Sequence, residues 1–229
     1  MPTASTRDHH RLRSSPGVVT MDGLVHPRDH DERALTRKLP VQPCSILISS
    51  SYIKTRVAEL AREIIHANRK INNDEINLLV VLKGAVFFGC LLAHEMFRLG
   101  GRNTVLHFVA ASSYGKSKRS SGHCRLSGKL DMLRGKEVIV VEDIYDTGLT
   151  LQKIKKRLLN KELASSVKTC VLLDKASRRR ATMKNTFNDF TGFKIPDVFV
   201  AGFGLDHAEK YRELPFIIAI GTKPGRQAT

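Results

Sequence analysis

Four stretches of strand length in this chain each hold four or more consecutive apolar residues instead of alternating: residues 77–82, 104–111, 137–141 and 167–173. A strand with one wet face reads apolar and polar by turns, so an unbroken apolar run has both faces covered. Helical patterns lie between them. Ile53, Val57, Leu60, Ala61, Ile64 and Ile65 recur at i, i+4, i+7 and i+8, with Lys54, Arg56, Glu59, Arg62 and Glu63 between. Regular structure is expected to begin near Ser51 with that helix. Further helices are expected over 85–97 and 150–160, and a later strand over 216–220. Strands buried on both faces and alternating with helices predict an α/β protein with a parallel β-sheet core flanked by helices. Ligands in such sheets sit at the carboxyl ends of the strands, so chemistry is sought there.

The rest of the composition narrows the function. The chain has 229 residues, with 38 Lys+Arg against 22 Asp+Glu, a formal charge of +16. That excess fits either nucleic acid or an anionic small substrate held in a basic cleft. The longest apolar stretch, 78–93, is interrupted by Lys83 and falls short of the ~18–20 residues of a spanning helix, so no membrane partner is expected. Cys44, Cys90, Cys124 and Cys170 show no C-x-x-C pairing. With no secretory h-region and no S-K-L terminus, they read as reduced thiols of a cytoplasmic protein.

Two segments stand apart. Residues 1–45 mix charges of both signs with five prolines and four of the nine histidines, and no period survives there. They read as a mobile extension, and His9-His10, lacking a third ligand at fixed spacing, as solvated tail. Residues 112–136 carry seven basic residues and one acid among Ser and Gly. A long loop of that kind is expected to be functional, here as a flexible, positively charged flap.

The chemistry is concentrated in Val140-Val141-Glu142-Asp143-Ile144-Tyr145-Asp146-Thr147-Gly148-Leu149-Thr150. A strand ends in two acids, a third follows, and Thr-Gly-x-Thr opens a helix. Backbone N–H groups at a helix N-terminus, with a glycine that permits close approach, make a phosphate site. Thr147 and Thr150 add hydroxyl donors. Glu142 and Asp143 would repel a phosphate, but they suit ribose hydroxyls and a hydrated divalent cation. Helix capping explains Asp146 or Thr147; it does not explain two adjacent acids at the tip of a buried strand.

This stretch resembles the phosphoribosyl-pyrophosphate motif of the purine phosphoribosyltransferases, in particular the hypoxanthine-guanine branch. Other segments follow in the family's order. Leu82-Lys83-Gly84 resembles the pyrophosphate loop, and Ser113-Tyr114 the start of the closing flap. Lys175, with Arg179, falls where the purine-side lysine does. Residues 195–206, continuing to Tyr211-Arg212-Glu213-Leu214, resemble the base-binding hood. The resemblance covers about residues 45–222 and implies the type I phosphoribosyltransferase fold. The N-terminal extension lies outside it, and the expected division is a mobile extension over 1–45 that contributes partly to the hood, a core over 46–202 with the flexible flap 112–136, and the C-terminal part of the hood over 203–229. Tyr145, where the family has an aliphatic residue, and Leu149, where Lys is common, depart at variable positions.

The resemblance also implies roles. Asp146, Thr147, Gly148, Leu149 and Thr150 would hold the 5′-phosphate, and Glu142, Asp143 and Ile144 the ribose side, directly or through Mg²⁺. Asp146 would be the catalytic proton acceptor facing purine N7. Lys175 would donate to the 6-oxo group, Phe199 stack on the base, and Val200 present its backbone to the exocyclic edge. Asp206, next to Leu205, would join Glu142 and Asp143 as a Mg²⁺ ligand. Lys83, Gly84 and Arg212 would hold pyrophosphate, and Ser113 and Tyr114 hinge the flap. A cis Leu82–Lys83 peptide is common in the family. The implied substrates are phosphoribosyl pyrophosphate and hypoxanthine or guanine, with xanthine open, giving IMP or GMP and pyrophosphate from a homodimer or homotetramer. Nucleic acid is then not the expected partner. The rival from another class is a nucleic-acid-binding regulator on the same fold; retention of Phe199, Asp206 and Arg212 favours the enzyme.

Overall fold

A computed structural model describes residues 16–20, 23–25, 29–68, 75–101, 103–113, 124–178 and 189–221. Strands β1 (Gly17–Val18), β2 (Cys44–Ile48), β3 (Ile76–Leu82), β4 (Thr104–Ser113) and β5 (Cys124–Ser127) are followed by β6 (Glu137–Tyr145) and β7 (Ser166–Asp174). Strands β8 (Phe190–Lys194), β9 (Phe199–Ala201) and β10 (Ile217–Ile220) complete the set. The helices are α1 (His30–Arg37), α2 (Ser50–Asn68), α3 (Val86–Arg98) and α4 (Leu149–Asn160).

Seven strands form the main sheet in the order β1-β8-β7-β6-β3-β4-β5. All neighbours run parallel except β4 and β5. The apolar runs explain the layering residue by residue. In β3, Leu78 and Val80 pack with Ile53, Leu60 and Ile64 of α2 and Phe88 and Leu92 of α3. Leu79 and Val81, one residue out of phase, pack on the opposite face with Leu151, Ile154 and Leu158 of α4. Strand β6 repeats the division, Ile139 and Val141 to one face and Val138 and Val140 to the other. Full burial of such a side chain contributes about 1.5–3 kcal/mol, and both faces collect it.

One buried cation ties a helix to the sheet. Arg56 of α2 donates from Nε to Gly192 O (3.0 Å) and from Nη2 to Thr191 O (2.8 Å). Its Nη1 pairs with Glu59 (2.7 Å) and Glu63 (3.1 Å). A guanidinium this buried persists because its charge and its donors are both matched.

The second sheet is antiparallel, in the order β2-β10-β9, with α1 packed on β2. Cys44, Ile46, Ala201, Phe216 and Ile218 form its core. The structure corrects two expectations. Regular structure begins well before Ser51: β1 pairs parallel with β8, Gly17 opposite Phe193, and α1 and β2 precede α2. The segment after Cys124 is also not all loop, since β5 pairs antiparallel with β4 and a short 3-10 turn at Asp131–Leu133 buries Leu133 beside Leu130. Residues 1–15, Tyr114 and Arg179 lie outside the described residues. Among the described residues no helix is long and apolar enough to cross a membrane. Cys44, Cys90 and Cys170 are free thiols.

Candidate active site

The sheet order places a crevice. From β3 the chain crosses by α3 to β4 on one side, and from β6 by α4 to β7 on the other, while β3 and β6 are neighbours. Helices α3 and α4 cover opposite faces. The loops after β3 and β6 therefore diverge at a topological switch point, where α/β sheets bind ligands. They carry Lys83-Gly84 and Glu142 to Thr150.

The β6–α4 turn is shaped to receive an anion. The N-cap residue of α4 makes no side-chain hydrogen bond, the first turn holds no acid, and first-turn N–H groups have no intrahelical acceptors. Gly148, the N-cap, has φ +84°, a left-handed conformation that only glycine adopts cheaply. A Cβ there would lie 2.8 Å from Cε2 of Tyr145, whose ring is fully buried. Thr147 and Thr150 are half-buried beside it, as are Asp146 and Leu149.

The acids are set deeper. Glu142 is buried, its Oε2 has no hydrogen-bond partner, and burial with the neighbouring Asp143 charge pushes its carboxyl well up. Asp143 accepts from Ile144 N through Oδ1 (2.9 Å). Burial pushes it up to about 6 against these hydrogen bonds and the Arg212 charge, while Asp206 raises it further. An orphaned, desolvated carboxylate oxygen is expensive unless hydroxyls or a cation complete it. Among the described residues no three His, Cys, Asp or Glu groups converge as a closed metal cage. The Glu142/Asp143 pair and Asp206 are instead separate oxygen donors. That donor chemistry fits Mg²⁺, which keeps several waters and binds through one or two carboxylates plus substrate phosphates.

The β3 loop meets the hood next to these acids. The Leu82–Lys83 peptide is cis. A Cβ on Gly84 would overlap the Asp143 carboxylate, and one on Gly204 would overlap the Gly84 carbonyl, so the three segments close only around glycines. Arg212 donates from Nη1 to Gly204 O (2.7 Å) and pairs through Nη2 with Asp206 Oδ1 (2.7 Å). Lys83 is exposed and pairs with Glu209 Oε2 at 3.0 Å.

Lys175 follows β7, its N–H donating to Tyr145 O (3.0 Å). Its ammonium, 6% exposed, donates to Val198 O (2.7 Å) and lies 3.7 Å from Asp197 Oδ1. Phe199 is 53% exposed and meets His207 edge-on, centroids 5.3 Å apart. An ammonium under a carbonyl and an open aromatic face, both beside a sheet end with a glycine-capped helix N-terminus, are suited to a flat polar ring joined to a phosphate.

The family model for the phosphoribosyl transferase domain matches residues 49–208. The chain belongs to that family. It is similar to the hypoxanthine-guanine phosphoribosyltransferase of Aquifex aeolicus, 42% identical over 177 residues, 76% of this chain and 93% of that one. The hypoxanthine phosphoribosyltransferase of Escherichia coli is 39% identical, covering 75% and 92%. Among solved structures, the Trypanosoma cruzi hypoxanthine phosphoribosyl transferase superposes with a TM-score of 0.70 at 32% identity, covering 80% of this chain and 94% of that one. A Bacillus anthracis hypoxanthine-guanine phosphoribosyltransferase superposes with a TM-score of 0.64 at 36% identity, covering 79% and 99%.

Within this phosphoribosyltransferase, Lys83, Gly84, Asp143, Asp206 and Arg212 adjoin one another, and the loop from Asp146 to Thr150 opens α4 at the same sheet end. Leu205, Val200 and Ile144 direct their side chains into the protein. Leu205 is buried in the core, and its N and O both bond Gly202. Val200 buries its side chain in the main core, on β9, the edge strand of the hood sheet. Ile144 lends its N–H to Asp143 and packs against the core. Ser113 ends β4, paired with Cys124. Sequence reasoning passed over Glu209, His207 and Asp197. The Gly202-Phe203-Gly204 triplet was the available signal, since spaced glycines mark a backbone folding back tightly on a neighbour.

Proposed function

We propose that this chain transfers the 5-phosphoribosyl group from phosphoribosyl pyrophosphate to N9 of a 6-oxopurine, hypoxanthine or guanine, yielding the nucleotide and pyrophosphate. The observation that carries the reading is the adjacency of a glycine-capped helix N-terminus with no acid in its first turn to two desolvated carboxylates and the cationic Lys83–Arg212 corner. The 5′-phosphate sits on the N–H groups and hydroxyls of the Asp146 to Thr150 loop, and the ribose hydroxyls lie toward Glu142 and Asp143. Lys175, held by Val198 O, aims a donor at the 6-oxo group. That favours an oxopurine over adenine, whose amino group there is itself a donor. Phe199 offers its exposed face to the base.

Charge develops at both ends of the breaking glycosidic bond. Lys83 and Arg212 stabilise the negative charge growing on pyrophosphate, a preorganised field of the kind that carries much of catalysis. Asp206 and the Glu142/Asp143 pair would hold Mg²⁺, which would supply further positive charge to that leaving group. Asp146 takes or shares the N7 proton as N9 attacks. The flap begun by Ser113 and Tyr114 keeps water from the oxocarbenium-like centre.

Initial rates with phosphoribosyl pyrophosphate, Mg²⁺ and hypoxanthine test the reading, with Asp146→Asn alongside. Wild-type turnover, with kcat falling far more than KM rises in the variant, supports it. A folded wild type that forms no nucleotide, yet binds nucleic acid with a steep salt dependence, overturns it in favour of the regulatory reading.

A further inference from the structure

Glu209 lies across the corner assigned above to pyrophosphate. Its Oε2 is 3.0 Å from Lys83 Nζ and 3.4 Å from Arg212 Nη2, joining a loop and a hood 126 residues apart. The hood backbone is shaped to put it there. Ala208 and Glu209 are consecutive non-glycine residues at φ +53° and +62°, with Tyr211 at +72°, and Glu209 N donates to Asp206 Oδ2 (3.0 Å). Strain of this kind persists only where its surroundings impose it, and it gathers at functional sites. Arg212 is otherwise fully employed by Gly204 O and Asp206, whereas Lys83 has Glu209 as its only ion-pair partner among the described residues.

We propose that Glu209 is a built-in counter-anion that competes with pyrophosphate for Lys83 and Arg212 and so speeds release of that product. The inference rests on the phosphoribosyltransferase reading of the corner. A single carboxylate yields to the several charges of pyrophosphate, and the Lys83–Glu209 pair is open to water, 71% and 69% exposed, so exchange needs no buried charge to be stripped. On release the carboxylate returns to both cations. Glu209 thereby weakens ground-state binding of pyrophosphate, and product release is often what limits turnover.

Calorimetric titration of the full chain with inorganic pyrophosphate tests this, together with product-inhibition constants in the forward assay. Glu209→Gln, an exposed and nearly isosteric change, should bind pyrophosphate about threefold to tenfold more tightly, as loss of two weak competing pairs implies. In a Lys83→Gln background the same change should gain clearly less. Unchanged or weaker pyrophosphate binding by Glu209→Gln would overturn the proposal and recast Glu209 as a residue that positions the two cations. Turnover by the wild type separates the failures. Normal turnover without the shift sinks this inference alone, while no turnover and no pyrophosphate binding sink the reading beneath it as well.

Discussion

Replacing Gly148 with alanine tests the phosphate cradle at its narrowest point. The residue holds φ +84°, where an L side chain costs about 1–2 kcal/mol. The added methyl would also lie 2.8 Å from Cε2 of Tyr145, closer than real contacts come. That ring is walled in by the α4 face of the core and cannot swing away, so overpacking adds about 1–3 kcal/mol. Gly148→Ala should therefore lose about 2–5 kcal/mol in urea unfolding, and KM for phosphoribosyl pyrophosphate should rise as the N–H groups of α4 shift. The two causes separate in a double-mutant cycle with Tyr145→Leu. Removing the ring relieves the clash but not the backbone strain, so the double variant should be more stable than additivity predicts by about 1–2 kcal/mol. Strict additivity would mean that Tyr145 is not what confines Gly148.

Three further outcomes follow from other parts of the molecule. Asp143, held near 6 in the fold against about 3.9 unfolded, binds its proton more tightly when folded, so its contribution to stability falls as pH rises from about 4 through 6. Asp143→Asn should flatten that slope and stabilise the ligand-free protein by up to about 3 kcal/mol at pH 8 while lowering activity, readable from urea midpoints across pH. Lys175→Met removes the donor beneath Val198 O and should lower kcat/KM for hypoxanthine by about tenfold to a hundredfold, an unchanged value excluding Lys175 from base recognition. Arg56→Met strands buried Glu63 and the carbonyls of Thr191 and Gly192, and should cost about 3–5 kcal/mol of unfolding free energy.

The main sheet was legible because its strands are buried on both faces. Leu78-Leu79-Val80-Val81 is of strand length and stopped by Lys83-Gly84, and its odd and even members went to opposite cores. The hood was harder. Cys44–Ile48 is a short apolar strand just after two prolines, in a segment whose composition reads as tail, and β9 is only three residues long. Their pairing is long-range, Ile217 opposite Ile48, and no local pattern announces it. In the site, contiguous pieces such as Glu142 to Thr150 were readable because helix N-termini and strand tips follow from local sequence. Glu209 was not, since its partner Lys83 lies 126 residues away and two left-handed residues aim it. Tyr145, which the sequence made look like an idle substitution, turns out to wall in Gly148.

The central claim meets its most direct test in product analysis from one competition mixture. The full chain is incubated with phosphoribosyl pyrophosphate, Mg²⁺ and equal hypoxanthine, guanine, xanthine and adenine, and the nucleotides and pyrophosphate are separated and counted. The account predicts IMP and GMP, one pyrophosphate for each nucleotide, and no AMP. AMP as the main product, or pyrophosphate released without any nucleotide, would contradict it.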